Sequence, residues 1–363
     1  MLAKLRMNMS GWLLYFVLWM IFLGIFMISR FGGTQDRVFE RFPITFVHGL
    51  IFVILVGLLL SLTDWALSLL VSKPWLSRVP YVYILLIKAA SLILIFVMTQ
   101  LILRVAMYFI VSAGGRQHLF HNFLGYLSSN RALSVIALII LFSLFTNLVV
   151  KMKELIGGDI LFNLLIGRYR IPRTEKRIFM FLDLKDSTTH AENLGDSKFS
   201  KLIQDVFDDL NEVVISKRAH IVKFVGDEVI LSWDLKDGLS ENNCIGFYFS
   251  YMDKLNSRAQ YYLKNYNLVP EFKAGIHVGE ATIVEIGKTR KEIAYISDTL
   301  NTTARLEKEC NIQGQKILIS GDLKEVIDGQ NEAQKITFSK VGFITLKGKK
   351  SAVDVYTVKT MAV

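Results

Sequence analysis

Four apolar stretches, each long enough to cross a bilayer, fall within the first 150 residues, and nothing comparable follows them. About 20 consecutive apolar residues span a hydrocarbon core. The first stretch, residues 11–29, carries no charge. The second, 43–70, holds one acid, Asp64. The third, 80–111, holds Lys88, Gln100 and Arg104, and the fourth, 132–150, is again uncharged. A chain built this way divides into an all-α transmembrane domain over residues 1–150, a juxtamembrane connector over 151–177, and a cytoplasmic domain over 178–363.

The charge distribution agrees with that division. Residues 1–150 carry 11 Lys and Arg against 3 Asp and Glu, so +8 of the formal net charge of +10 flanks the apolar segments. Such an excess suits anionic headgroups of a lipid bilayer. No basic stripe with interleaved aromatics occurs, and nucleic acid is excluded as a partner. Four spans put both termini on one side, and Lys4, Arg6, Lys73, Arg78, Lys151 and Lys153 mark that side as the cytoplasm. Arg30, Arg37, Arg41, Arg116 and Arg131 fall on the opposite side under the same count. No small-residue cleavage site follows the first span, so it reads as an uncleaved anchor. The expected location is the cell inner (plasma) membrane, multi-pass, with the C-terminal half cytoplasmic.

Asp64 and Lys88 lie near span ends, and the simplest expectation is that they snorkel toward the headgroups. An ion-paired bundle interior or a ligand site is the alternative, and Arg104 is open between the two. His118 and His121 read as a solvated pair. Cys244 and Cys310 lack CxxC spacing and read as buried thiols in a reducing compartment.

From Ile178 the pattern alternates. Ile178–Leu184 is a continuous apolar strand, and Phe199, Leu202, Ile203, Val206, Phe207, Leu210 and Val213 then recur at helical spacing. His220–Val225 and Glu228–Trp233 form a hairpin pivoting on Gly226-Asp227. A helix follows over about 241–264, then strands Glu271–Val278 and Ala281–Glu285 meeting at Gly279. A helix over Asp298–Cys310, a strand over Lys316–Ile319 and further strands around Leu346-Lys347-Gly348 complete the chain. This order predicts an α+β, ferredoxin-like domain with additions at its C-terminal end.

Two constellations carry chemistry. Asp183 ends the first strand and Asp227 sits at the hairpin tip, so neighbouring strands aim both carboxylates at one pocket. Hard carboxylate oxygens there suit Mg²⁺, with water and phosphate oxygens completing the shell. Asn301 and Arg305 are four residues apart and share a helical face, where a guanidinium faces a phosphoryl group and an amide fixes a ribose. Taken singly, a surface turn explains the first nearly as well, and an exposed polar helix face explains the second better.

Together, Phe-Leu-Asp-Leu-x-x-Ser-Thr at 181–188, Lys-x-x-Gly-Asp at 223–227, Asn-x-x-x-Arg at 301–305 and Leu-Lys-Gly-Lys at 346–349 resemble the class III nucleotidyl cyclases. The likeness covers about residues 178–358. It implies that Asp183, Asp227 and the backbone carbonyl of Leu184 hold two metal ions per active site, Mg²⁺ or Mn²⁺. It implies that Lys223 reads adenine, Asn301 orients the ribose and Arg305 stabilises the transition state. Lys347 would bind the triphosphate, assisted by Arg290 or Lys291. The implied reaction converts ATP to 3′,5′-cyclic AMP and pyrophosphate, in a homodimer whose active sites are shared between subunits. One departure stands out: the second base-reading position falls on Ala294, which cannot hydrogen-bond through its side chain. A guanylate cyclase, disfavoured by Lys223, and a catalytically inactive dimerisation or receptor module are the alternatives.

Overall fold

The computed structural model describes residues 12–25, 46–71, 79–110, 130–156, 158–289, 291–329, 336–344 and 352–360. The chain divides into two compact units, Met1–Phe162 and Asn163–Val363, so the division falls inside the connector.

Among the described residues, the first unit contains four apolar helices: α1 (Trp12–Ile25), α2 (Phe46–Val71), α3 (Tyr81–Ile110) and α4 (Asn130–Ile156). Trp19, Leu60, Leu92 and Ile139, one from each helix, form its buried centre. The unit is otherwise inside out for a water-soluble bundle. Leu55, Val82, Leu86, Leu94 and Leu141 are each at least 60% exposed, while Ser61, Asp64, Lys88, Ser143, Thr146 and Asn147 are buried. Two segments, Tyr81–Thr99 and Leu133–Lys153, are long and apolar enough to cross a membrane; Trp12–Ile25 and Ile54–Leu69 are shorter apolar helices.

The buried polar groups correct the expectation that Asp64 and Lys88 snorkel. Lys88 Nζ lies 3.3 Å from Asp64 Oδ1 and donates to Asn147 Oδ1 and Ser68 Oγ, each at 2.5 Å. Asn147 donates to Asp64 Oδ1 at 3.4 Å, and Tyr15 Oη is 2.6 Å from Ser68 Oγ. Residues of all four helices therefore close one internal network. Burying either charge alone would be far costlier than burying the pair, which is why the two find each other across the bundle. The Arg104 side chain, His118 and His121 lie outside the described residues.

A short helix, α5 (Gly158–Leu165), leads to the second unit. The order of elements there is β1 (Arg173–Leu184), α6 (Ser187–Leu194), α7 (Asp196–Ser216), β2 (His220–Val225), β3 (Glu228–Asp234), α8 (Leu235–Leu239), α9 (Asn243–Ser257), α10 (Ala259–Tyr266), β4 (Phe272–Ile286), β5 (Glu292–Ile296), α11 (Asp298–Ile312), β6 (Ile317–Ser320), α12 (Gly321–Asp328), β7 (Ile336–Ile344) and β8 (Val353–Thr360). The sheet order is β2-β3-β1-β4-β6-β8-β7, with β5 paired to β4. Its first four strands, with helices after β1 and after β3, make the expected α+β ferredoxin-like core.

β1 is buried on both faces, which explains its unbroken apolar run. Ile178, Met180, Leu182 and Leu184 pack with Leu202, Val206, Leu210 and Val213 of α7 and with Ile245, Tyr251 and Leu255 of α9 in the main core. The two-residue period turns Phe179, Phe181 and Asp183 to the opposite face. Phe179 meets Tyr295 of β5 there, edge to face at 5.9 Å.

β1 begins at Arg173, five residues before its expected start, β5 and α12 are additional to the expected elements, and two expected elements take another form. Strands 271–278 and 281–285 are one 15-residue strand, β4, which pairs with β1 from Phe272 to Ile283. Gly279 is no turn; it makes room for α11, because a Cβ there would lie 2.4 Å from Thr299 Oγ1. The helix over 241–264 is two helices that break at Arg258, and residues Glu241 and Asn242 have left-handed backbone angles before the first. Cys244 and Cys310 are buried, unpaired thiols on helices, as expected.

Candidate active site

Register and period place the site at one end of β1. Asp183 faces Glu228 of β3 on one side and Lys273 of β4 on the other. Directly opposed residues in antiparallel strands share a face, so these three side chains form one cross-strand row. Asp227 adjoins the row from the hairpin turn, where Gly226 adopts φ +64°, a backbone angle that favours glycine.

α11 lies over this face of the sheet. Ser297 caps it by accepting from the Leu300 amide at 3.2 Å. Gly275 lets it approach β4 closely: an added Cβ would fall 2.3 Å from the Glu307 amide nitrogen. That approach brings the buried Glu307 to the row. Lys273 Nζ lies 3.1 Å from Asp183 Oδ2 and 2.9 Å from Glu307 Oε1, the latter outside hydrogen-bond geometry.

Asp183 and Glu307 share the Lys273 ammonium, and Asp227 and Glu228 add two more carboxylates to the same neighbourhood. Burial, reinforced by Glu307 and Asp227 and opposed by Lys273, pushes the Asp183 carboxyl up to about 6. Burial, with Glu307, Asp183 and Asp227, pushes Glu228 up to about 7. Burial works to lower Lys273, but Glu307 and Asp183 outweigh it and raise the ammonium. These residues fit a divalent cation: the donors are hard oxygens and the local charge is negative in excess. Among the described residues no group of three or more His, Cys, Asp or Glu forms a preformed metal cage.

The remaining expected residues distribute as follows. Leu184 ends β1 with its side chain buried, leaving only its backbone as a functional group. Lys223 of β2 pairs with Glu292 of β5, Nζ to Oε1 at 2.9 Å. Asn301 is exposed on α11. Arg305, one turn further on, has Nη1 buried without a hydrogen-bond partner among the described residues. Lys291 forms an ion pair with Glu285. Arg290 and Lys347 lie outside the described residues.

Sequence reasoning passed over Lys273, Glu228 and Glu307. Glu228 adjoins the Gly-Asp pair and Glu307 follows Arg305 by two positions, so each carried a local signal. Lys273 carried none, since its place depends on the β1–β4 register.

Residues 170–360, just over half of the chain, match the family described as adenylate and guanylate cyclase catalytic domain. Adenylate cyclase 2 of Rhizobium meliloti (strain 1021) is 35% identical over 175 residues, covering 48% of this chain and 48% of that protein. Adenylate cyclase 1 of the same organism is 27% identical over 187 residues, covering 49% of this chain and 27% of that protein. This chain therefore aligns with about half the length of the first relative and about a quarter of the second. A solved bacterial light-regulated adenylyl cyclase shares the fold, with 19% identity and a TM-score of 0.54 over 64% of this chain and 67% of that one. The ordered motifs, the ferredoxin-like core and the carboxylate row converge on one assignment: this chain belongs to the adenylate and guanylate cyclase catalytic domain family.

Proposed function

We propose that this chain is a membrane-anchored adenylate cyclase, converting ATP to 3′,5′-cyclic AMP and pyrophosphate. The observation that carries the reading is the Glu228–Asp183–Lys273 row with Asp227 beside it, a half-buried site with an excess of carboxylates. Asp183 and Asp227, with the Leu184 carbonyl, are the residues that would hold two Mg²⁺ or Mn²⁺ ions. Metal ions held there would supply Lewis acidity for the ribose 3′-hydroxyl and positive charge for the pyrophosphate oxygens.

The chain's own residues do the positioning. Asn301 hydrogen-bonds the ribose and Arg305 places its guanidinium on the α-phosphoryl oxygens, where charge develops in the transition state. Its partnerless buried Nη1 supports that role. Lys347, with Arg290 or Lys291, binds the β- and γ-phosphates; for Lys291 this requires leaving Glu285. Lys223 donates to the adenine ring. The pairing of Lys223 with Glu292 of β5, and not with Asp227 of its own hairpin, supports a homodimer in which each subunit completes the other's site.

The apolar exterior and polar interior of the first unit support a bilayer around it, and hence an inner-membrane location with the catalytic half in the cytoplasm. The test is to incubate the full chain, in membranes or detergent, with Mg²⁺ or Mn²⁺ and either ATP or GTP and identify the product. Cyclic AMP from ATP is expected. Cyclic GMP alone would make the chain a guanylate cyclase, and no product with either ion would leave an inactive module.

A further inference from the structure

We propose that Glu292 is a base-reading residue, supplying with Lys223 the donor–acceptor pair that selects adenine over guanine. The proposal rests on the reading of this site as one that cyclises ATP.

Three observations carry it. First, Lys223 and Glu292 lie 69 residues apart in sequence, on β2 and β5, yet their charged ends are 2.9 Å apart. Second, both side chains are about half exposed, 55% and 48%, so a ligand can reach them. An exposed pair of this kind adds little stability; what it presents is a donor and an acceptor side by side. Third, alternation along β5 puts Glu292, Ala294 and Ile296 on one face, while Tyr295 turns inward to Phe179. Ala294, where the second base contact is expected, has no polar group. Glu292 is the next residue on that face, one pleat away, about 7 Å along the strand, and its longer side chain already ends at the Lys223 ammonium.

The chemistry of the bases decides what such a pair selects. Adenine presents the N6 amino donor next to the N1 acceptor. Glu292 accepts from N6 while Lys223 donates to N1. Guanine placed the same way sets its O6 acceptor against the carboxylate and its N1–H donor against the ammonium, so both contacts turn repulsive.

The test uses the full-length protein in detergent or nanodiscs with Mn²⁺, comparing kcat/KM for ATP and GTP in wild type, Glu292→Ala, Glu292→Gln, Lys223→Ala and the Lys223→Ala/Glu292→Ala double variant. Glu292→Ala should lower the ATP-to-GTP ratio about 10- to 100-fold, the range for one lost base-specific contact. Glu292→Gln, which keeps an acceptor, should lose less. In the Lys223→Ala background, removing Glu292 should lower the ratio again. A ratio unchanged in Glu292→Ala overturns the proposal and leaves ATP cyclisation standing. A ratio that falls only while Lys223 is present also overturns it, because Glu292 would then merely position Lys223. Should the wild type form no cyclic nucleotide, the proposed activity fails by itself. Displacement of a fluorescent nucleotide by ATP or GTP then decides the role of Glu292, on the same variants and with the same expected change in ratio.

Discussion

Asp183 and Lys273 stand opposite each other on β1 and β4, carboxylate to ammonium at 3.1 Å. The same ammonium lies 2.9 Å from Glu307, so one cation serves two acids. This makes the site a place where function opposes stability. Asp183 titrates at about 6 in the fold, above its ordinary value of 3.8. A carboxyl raised on folding binds more protons in the native state, so its ionisation costs stability as pH rises from about 4 through 6.

Asp183→Asn should therefore stabilise the metal-free protein at pH 7.5 by about 1–2 kcal/mol, after discounting the shift for partial exposure, while abolishing cyclase activity. Thermal or urea denaturation in EDTA, beside a product assay, checks both halves. A variant that is inactive because it is less stable than wild type would contradict this account.

Assembly has a quantitative signature. Asp183→Ala and Arg305→Ala chains, each inactive alone, should complement when co-assembled. Random pairing makes half the dimers mixed, each with one of two sites intact, so about a quarter of wild-type activity should return. Background activity in mixtures shown to contain mixed dimers would leave a single-chain site as the better reading.

Away from the site, Asp205 on α7 accepts hydrogen bonds from Tyr266 at 2.5 Å and Tyr261 at 2.7 Å and pairs with Lys201 at 3.1 Å. Burial alone would raise its carboxyl; these partners outweigh burial and hold it below its ordinary value. A depressed carboxyl contributes stability above the unfolded value, lost as pH falls through the folded one. Asp205→Asn should cost about 1–3 kcal/mol at pH 7, with the gap to wild type closing as pH drops below about 4. Denaturation midpoints across that range give the answer.

In the first unit, Lys88→Met leaves the Asp64 carboxyl buried without its cation, whereas Lys88→Met with Asp64→Asn removes both ionisable groups. The single variant should fold in much lower yield than the double variant, since an unpaired buried ionisable group is costlier than none. Monodispersity in detergent by size-exclusion chromatography distinguishes them, and equal yields would mean that the pair does not hold the helices together.

The sequence determined the local features of this protein. The apolar stretches specified the helices, because a long uninterrupted apolar segment has few other ways to satisfy its backbone. The Gly226-Asp227 turn specified the hairpin, and the order of Asp183, Asp227, Asn301 and Arg305 identified the family. Tertiary structure decided what depends on register and long-range approach. Gly279 reads locally as a turn and proves to be the point where α11 leans on an unbroken β4. Asp64 and Lys88 read as separate charges near span ends until the helices bring them together. Lys273 is one lysine among many until antiparallel pairing sets it opposite Asp183, and Glu292 meets Lys223 across 69 residues. A one-residue slip of β4 would turn Lys273 to the other face of the sheet, so no window of sequence around position 273 holds the information that puts it in the site.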